Sequence, residues 1–238
     1  MIKIINFQKV NNISMNNTIF KNRKDAFHQL CDVLPLKDME NEKWIVLAIS
    51  CGAVPIAIDL SEKIKADFDY LFTQKIFTSK NKECEIAIIT ETEEIVIHEE
   101  LMKSFDLKLE DIYEESKMHY TSDITKYKTK YRNNFDIMDL ENRNVLLVDE
   151  GLNTGLTMMA CIKSVINKNA KSVFVAVPVL PEVVIHDIET IADDLYYVEA
   201  PSHFVSIDFY YENLEEIEIE DIEKLKYNYK KENNVNNM

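Results

Sequence analysis

The residues best equipped for chemistry lie in one stretch, Asp149-Glu150-Gly151-Leu152-Asn153-Thr154-Gly155-Leu156-Thr157, entered from the apolar run Val145-Leu146-Leu147-Val148. Such a run reads as a buried strand that delivers two carboxylates to its carboxyl end, where open α/β sheets bind ligands. The small and hydroxyl residues that follow open a helical pattern. Amides at a helix N-terminus lack intrahelical acceptors, and together with the Thr154 and Thr157 hydroxyls they can hold a phosphate. Asp149 and Glu150 then sit one sugar-length away, placed to accept hydrogen bonds from ribose hydroxyls or to lie beside Mg²⁺. The pattern suits a sugar 5-phosphate.

Glycine usage points to the same place. The chain has three glycines, Gly52, Gly151 and Gly155, where ordinary usage of about 7% would put roughly seventeen. All three fall in two short loops, Ser50-Cys51-Gly52-Ala53 and the stretch above. Glycine is kept where the backbone needs positive φ or where another group must come close to the main chain. Rival phosphate motifs fail on the letters. A strand ending in Asp-Glu resembles a Walker B strand, but no glycine precedes a lysine as GxxxxGK[ST] requires, and no two glycines are two apart as GxGxxG requires. A plain strand-turn-helix with solvated acids and Thr154 as a cap is the bland alternative.

The elements that must position these loops follow a βαβ rhythm. Residues 21–34 have helical spacing, with Ala26, Phe27, Leu30, Cys31 and Leu34 on one face. The spacing predicts a buried strand over 44–49 before the first glycine loop, a helix over 54–64 with Pro55 in its first turn, and a second strand over 68–76. The section 77–143 breaks the rhythm: strands at 85–90 and 94–97 form a hairpin, 98–105 is a short helix, and 109 to about 132 is a long polar helix rich in Tyr and Lys. It reads as an insertion covering one end of the sheet. The rhythm resumes with strands at 145–148, 172–179 and 195–198 and helices at 154–168 and 181–192. The fold class expected is α/β, a parallel sheet flanked by helices with a hairpin-plus-long-helix hood. One domain spans 1–230, with 77–143 as the inserted hood; 1–18 reads as a polar arm and 231–238 as a disordered tail.

Bulk properties bound the function. Of 238 residues 46% are apolar, enough for a sizeable core, and the net charge is −15 with a pI near 4.8. A chain so acidic is not expected to bind nucleic acid, which needs a basic face. Small anions remain possible through backbone amides and a metal ion. Cys31, Cys51, Cys84 and Cys161 include no CxxC pair, and no apolar leader or membrane-length run occurs; the expectation is a cytoplasmic protein with reduced thiols and no membrane partner. The histidines, His28, His98, His119, His186 and His203, form no HxH or HxxxH pair, so no direct metal ligation is expected. Tyr113, Tyr120, Tyr127 and Tyr131 recur on the long helix at spacings of seven and four. They read as a packing stripe or a homodimer seam rather than a base-stacking platform.

On these residues the chain resembles the type I phosphoribosyltransferases. The stretch from Val145 to Thr157 is similar to their thirteen-residue 5-phosphoribosyl pyrophosphate (PRPP) motif, and a bacterial group of stand-alone phosphoribosyltransferases is similar from Phe20 to about Leu214. Phe20-Lys21-Asn22-Arg23, Gln74-Lys75-Ile76, Tyr131-Arg132 and Tyr211-Glu212 also fit that group. The resemblance implies that Asp149 and Glu150 contact the ribose hydroxyls, and that Leu152, Asn153, Thr154, Gly155, Leu156 and Thr157 hold the 5-phosphate. It implies that Cys51, Gly52 and Ala53 bind pyrophosphate through their backbone, where the family usually has Arg-Gly-Gly, and that Lys75 lies near the pyrophosphate. It further implies Mg²⁺ as cofactor, and PRPP and a nitrogen acceptor, a nucleobase, as substrates. Losing the loop arginine removes a fixed bidentate phosphate partner, so a PRPP or nucleotide sensor without turnover is the alternative. Cys51 is an inert substitution or a reactive thiol near a helix N-terminus.

Overall fold

The computed structural model of the chain describes residues 19–40, 42–78 and 81–222. The polar arm and the C-terminal tail expected from sequence lie outside them. The elements run α1 (Arg23–Val33), α2 (Leu36–Met39), β1 (Trp44–Ala48), α3 (Val54–Ile64) and β2 (Asp67–Tyr70), then β3 (Thr73–Thr78), β4 (Asn81–Thr90) and β5 (Ile95–Ile97). They continue with α4 (Glu99–Ser104), α5 (Leu109–His119), a π-helical turn (Tyr120–Ile124) and α6 (Thr125–Arg132). Next come β6 (Asn144–Val148), α7 (Leu156–Asn167), β7 (Ser172–Val179), α8 (Glu182–Glu189) and β8 (Asp194–Glu199), followed by single 3-10 turns at Asp208–Tyr210 and Ile219–Asp221.

The main sheet is parallel throughout, in the order β2-β1-β6-β7-β8. Alternation of side chains along the strands builds two cores. Val46, Ala48, Leu146 and Val148 pack with Ala26, Leu30, Ile56 and Leu60 of α1 and α3. Ile45, Leu47, Val145 and Leu147 pack with Met158, Cys161, Ile162, Val165 and Ile188 of α7 and α8. Strands buried on both faces read as continuous apolar runs, which is why they were visible in the sequence.

The expected second strand is two strands. β2 ends at Tyr70, and the chain leaves the parallel sheet through Leu71, whose amide donates to the Ala48 carbonyl, and Phe72, whose amide donates to Glu91 Oε1 at 2.9 Å. β3 then starts a separate antiparallel sheet, β3-β4-β5. Apolar residues bridge the switch without a break, so periodicity alone cannot locate it. The second sheet therefore begins at Thr73, and Lys75 belongs to it. Its Ile88 and Val96 pack on Leu156 and Ala160 of α7. The long polar helix is interrupted by the π turn, a feature often found at functional sites. Tyr120, Tyr127 and Tyr131 are half-buried in the chain's own fold, the last two with ring centroids 6.1 and 6.4 Å from Phe72. Of the four tyrosines only Tyr113 is exposed, so the packing reading of the stripe describes it better than a seam.

A buried ionic knot ties the second sheet to the first. The Arg132 guanidinium lies over the Phe72 ring at 4.6 Å, pairs with Asp69 of β2 at 3.4 Å and with Glu91 after β4, and all three side chains are buried. Burial pushes the Glu91 carboxyl upward while Arg132 pulls it down, and the balance stays above the ordinary value. Among the described residues no helix is long and apolar enough to cross a membrane.

Candidate functional site

β1 and β6 are neighbours, with Ala48 opposite Val148. Their loops leave the sheet side by side where the strand order reverses direction, the usual ligand crevice of an open parallel sheet. The Ser50 hydroxyl joins the two loops: it donates to Asp149 Oδ1 and accepts from the Ala53 amide at 3.2 Å. Asp149 Oδ1 also accepts the Glu150 amide at 2.8 Å. Oδ2 has no partner among the described residues. Burial, opposed by the Ser50 bond and aided by the neighbouring Glu150 charge, pushes the Asp149 carboxyl up to about 7.

Glu150 is held differently. Arg23, from the first turn of α1, places both Nε and Nη2 on Glu150 Oε2, at 2.8 and 2.7 Å. The same Nε donates to the Gly52 carbonyl at 2.9 Å. Oε1 is left without a partner among the described residues. The Tyr211 hydroxyl donates to the Glu150 carbonyl at 2.7 Å. Burial raises the Glu150 carboxyl and Arg23 partly offsets it. Any side chain at residue 52 would overlap the Glu150 carboxylate, which accounts for a glycine there.

The turn before α7 supplies the donors. Gly155 has φ +74°, a left-handed conformation that favours glycine, and a Cβ there would lie 2.6 Å from Val184 Cγ1. The amides of Asn153, Thr154, Gly155 and Thr157 donate to no protein acceptor among the described residues. Two expected donors differ. The Leu152 amide is taken by the Val179 carbonyl at 2.9 Å and its side chain is in the core, and the Leu156 amide reaches Thr154 Oγ1 at 3.4 Å. These residues open onto a cavity of about 430 Å³ whose other wall is Phe77, Cys84, Glu85 and Leu101 of the second sheet and α4. An adjoining hollow of about 390 Å³ is lined by Ser50, Cys51, Gln74, Lys75, Asp149 and Glu150.

The first loop departs from expectation in one donor: the Ala53 amide closes a turn on Ser50, which leaves Cys51 and Gly52 to present backbone N–H groups. Burial pushes the Cys51 thiol up despite its 3.8 Å contact with the Tyr70 hydroxyl, so it is not an activated thiolate. Lys75 borders both cavities and pairs with Glu85 across β3 and β4 at 2.9 Å. His203 lines neither cavity. Arg23, Ser50 and Tyr211 hold the acids in place, and their contacts span 61 to 127 residues of chain. Ser50 stands directly ahead of the glycine loop, whereas Arg23 and Tyr211 were marked only by the resemblance of their segments to the family, with no role attached.

With this geometry in hand, comparison with known proteins decides the family. A sequence profile of the phosphoribosyl transferase domain matches residues 16–212. The chain belongs to the phosphoribosyl transferase domain family. Within it, the chain is 24% identical over 197 residues to a Mycobacterium tuberculosis protein (strain H37Rv) named putative phosphoribosyl transferase Rv0571c, and equally to its counterpart in strain CDC 1551. That match takes in 82% of this chain and 43% of the relative, so this phosphoribosyl transferase domain spans less than half the length of the curated relatives it matches. In fold it is similar to the protein TT1426 from Thermus thermophilus, with a TM-score of 0.71 at 23% identity, covering 88% of this chain and 98% of that one. The likeness establishes the parallel sheet flanked by helices.

Proposed function

We propose that this domain binds PRPP with Mg²⁺ and transfers its phosphoribosyl group to a nitrogen acceptor, a nucleobase, releasing pyrophosphate. The observation that carries the proposal is the pairing, in adjoining cavities, of four amides at the start of α7 with two acids, the amides and one oxygen of each acid having no partner among the described residues. A 5-phosphate accepts from the amides of Asn153, Thr154, Gly155 and Thr157 and from the Thr154 and Thr157 hydroxyls. Asp149 Oδ2 and Glu150 Oε1 accept from the ribose diol. The pyrophosphate lies toward Cys51, Gly52 and Lys75.

The donor set suits Mg²⁺ as a passenger on the ligand. The free oxygens of Asp149 and Glu150 are hard donors, and no group of three metal-ligating side chains occurs among the described residues. When bound, the ion neutralises charge building on the pyrophosphate as it departs. The C1–O bond breaks with its electron pair leaving on pyrophosphate, a C1–N bond forms, and the acceptor nitrogen gives up its proton. The chain's part is to fix the two ends of the sugar and exclude water beneath the second sheet, so that positioning and charge stabilisation carry the rate.

The Cys51-Gly52-Ala53 loop carries no basic side chain, which favours a second reading, a PRPP or nucleotide sensor without turnover. Pyrophosphate release from PRPP and Mg²⁺ across the common bases separates the two. Release with one base supports the transferase. Saturable PRPP binding with no release in any mixture supports the sensor, and absence of binding removes both.

A further inference from the structure

We propose that Arg23 is the positioning residue of this site: from α1 it holds Glu150 with one carboxylate oxygen left for the ligand, and it clamps that acid to the Ser50–Ala53 loop as the fixed cation which the loop itself lacks. The inference rests on the phosphoribosyl reading of the same cavities.

The contact is built from the segment just before α1 and a segment that follows β8. The Glu212 amide donates to the Phe20 carbonyl at 2.8 Å and the Asn213 amide to the Lys21 carbonyl at 3.0 Å, so the segment after β8 is stitched to the chain just ahead of α1. The Phe20 and Tyr211 rings pack at 5.0 Å, and the Asn22 side chain caps α1 by accepting the Asp25 amide. Tyr211 then holds the Glu150 carbonyl while Arg23 holds the Glu150 carboxylate. Main chain and side chain of one acid are therefore gripped from the same anchored segment.

The manner of docking matters more than the charge. A guanidinium facing a carboxylate can engage both oxygens in parallel. Here Nε and Nη2 converge on Oε2, and Nε also reaches the Gly52 carbonyl. That arrangement neutralises the acid and leaves Oε1 available. Side-chain exposures of 12% for Arg23 and 19% for Glu150 keep the pair largely out of water, so the fork is not dissipated by solvent. A lysine would bring the charge but not the planar geometry that spans Oε2 and the Gly52 carbonyl together.

The test uses the full chain. In unliganded wild-type protein, ¹⁵N NMR should find the Arg23 Nε–H protected from solvent exchange, and Glu150→Gln should reduce that protection to what the Gly52 carbonyl alone sustains. In calorimetry with PRPP and Mg²⁺, Arg23→Gln should weaken binding at least tenfold, Arg23→Lys should recover only part of the loss, and in the Glu150→Gln background Arg23→Gln should change affinity less than threefold. An unprotected Nε–H, full recovery by lysine, or an undiminished Arg23→Gln effect in the Glu150→Gln background would each overturn the proposal. Failure of wild-type protein to bind PRPP would defeat the phosphoribosyl reading instead, and the NMR result on wild type and Glu150→Gln would then decide whether Arg23 holds Glu150.

Discussion

Asp149 is destabilising where it stands. Burial disfavours its charge and pushes the carboxyl up from the ordinary 3.8 to about 7 in the fold. Between those values the folded chain keeps a proton that the unfolded chain has lost. Stability therefore falls as pH rises from about 4 to about 7 and stays lower above that. A shift of about three units corresponds to at most about 4 kcal/mol. Asp149→Asn can still accept from Ser50 and from the Glu150 amide, so at pH 8 it should raise the melting temperature by at least about 4 °C while impairing PRPP binding. An unchanged or lower melting temperature would contradict the buried-acid reading. The same group sets a pH dependence on the ligand side. Ribose hydroxyls and Mg²⁺ favour the ionised carboxyl, so PRPP affinity should rise from pH 6 to pH 8. Near pH 7 binding should release a fraction of a proton, measurable as a heat that varies with the ionisation enthalpy of the buffer.

At the scale of elements, the turn between β6 and α7 does most of the positioning. Gly155→Ala meets both a left-handed backbone and Val184. It should destabilise the fold by about 1–3 kcal/mol and weaken PRPP binding more than that loss explains, since it displaces free amides. Calorimetry on the folded variant checks the second half. This turn was legible in the sequence because its whole logic is local: strand, acids, small residues, helix. The strands around it were legible for a similar reason, each being a short apolar run. The break at Leu71–Phe72 was not, because these two residues are themselves apolar and carry no turn signal, and only long-range partners, the Ala48 carbonyl and the Glu91 carboxylate, separate the two strands. Nor was the grip of Arg23 on Glu150, made across 127 residues of chain.

On the scale of the whole molecule, the site is a seam between two sheets joined by apolar packing on α7 and by the buried Arg132 knot. Arg132 answers both Asp69 and Glu91, and removing it leaves two buried carboxyls without their cation. Arg132→Ala should cost about 3–5 kcal/mol, read as a lowered denaturation midpoint. An effect below about 1 kcal/mol would show that the knot does not hold the hood in place. The chain's net charge of −15 sharpens what the site must do. A multiply ionised ligand such as PRPP would approach an acidic protein whose Arg23 and Lys75 are already paired with acids, so the amides of the two loops and a divalent ion would have to supply the attraction that the surface does not. Titration of PRPP with Mg²⁺ into wild-type protein and into the Asp149→Asn/Glu150→Gln double variant, by calorimetry at pH 8, tests that account most directly. Saturable binding by the wild type that is abolished in a still-folded double variant is the predicted result; equal affinity in the two proteins would contradict it.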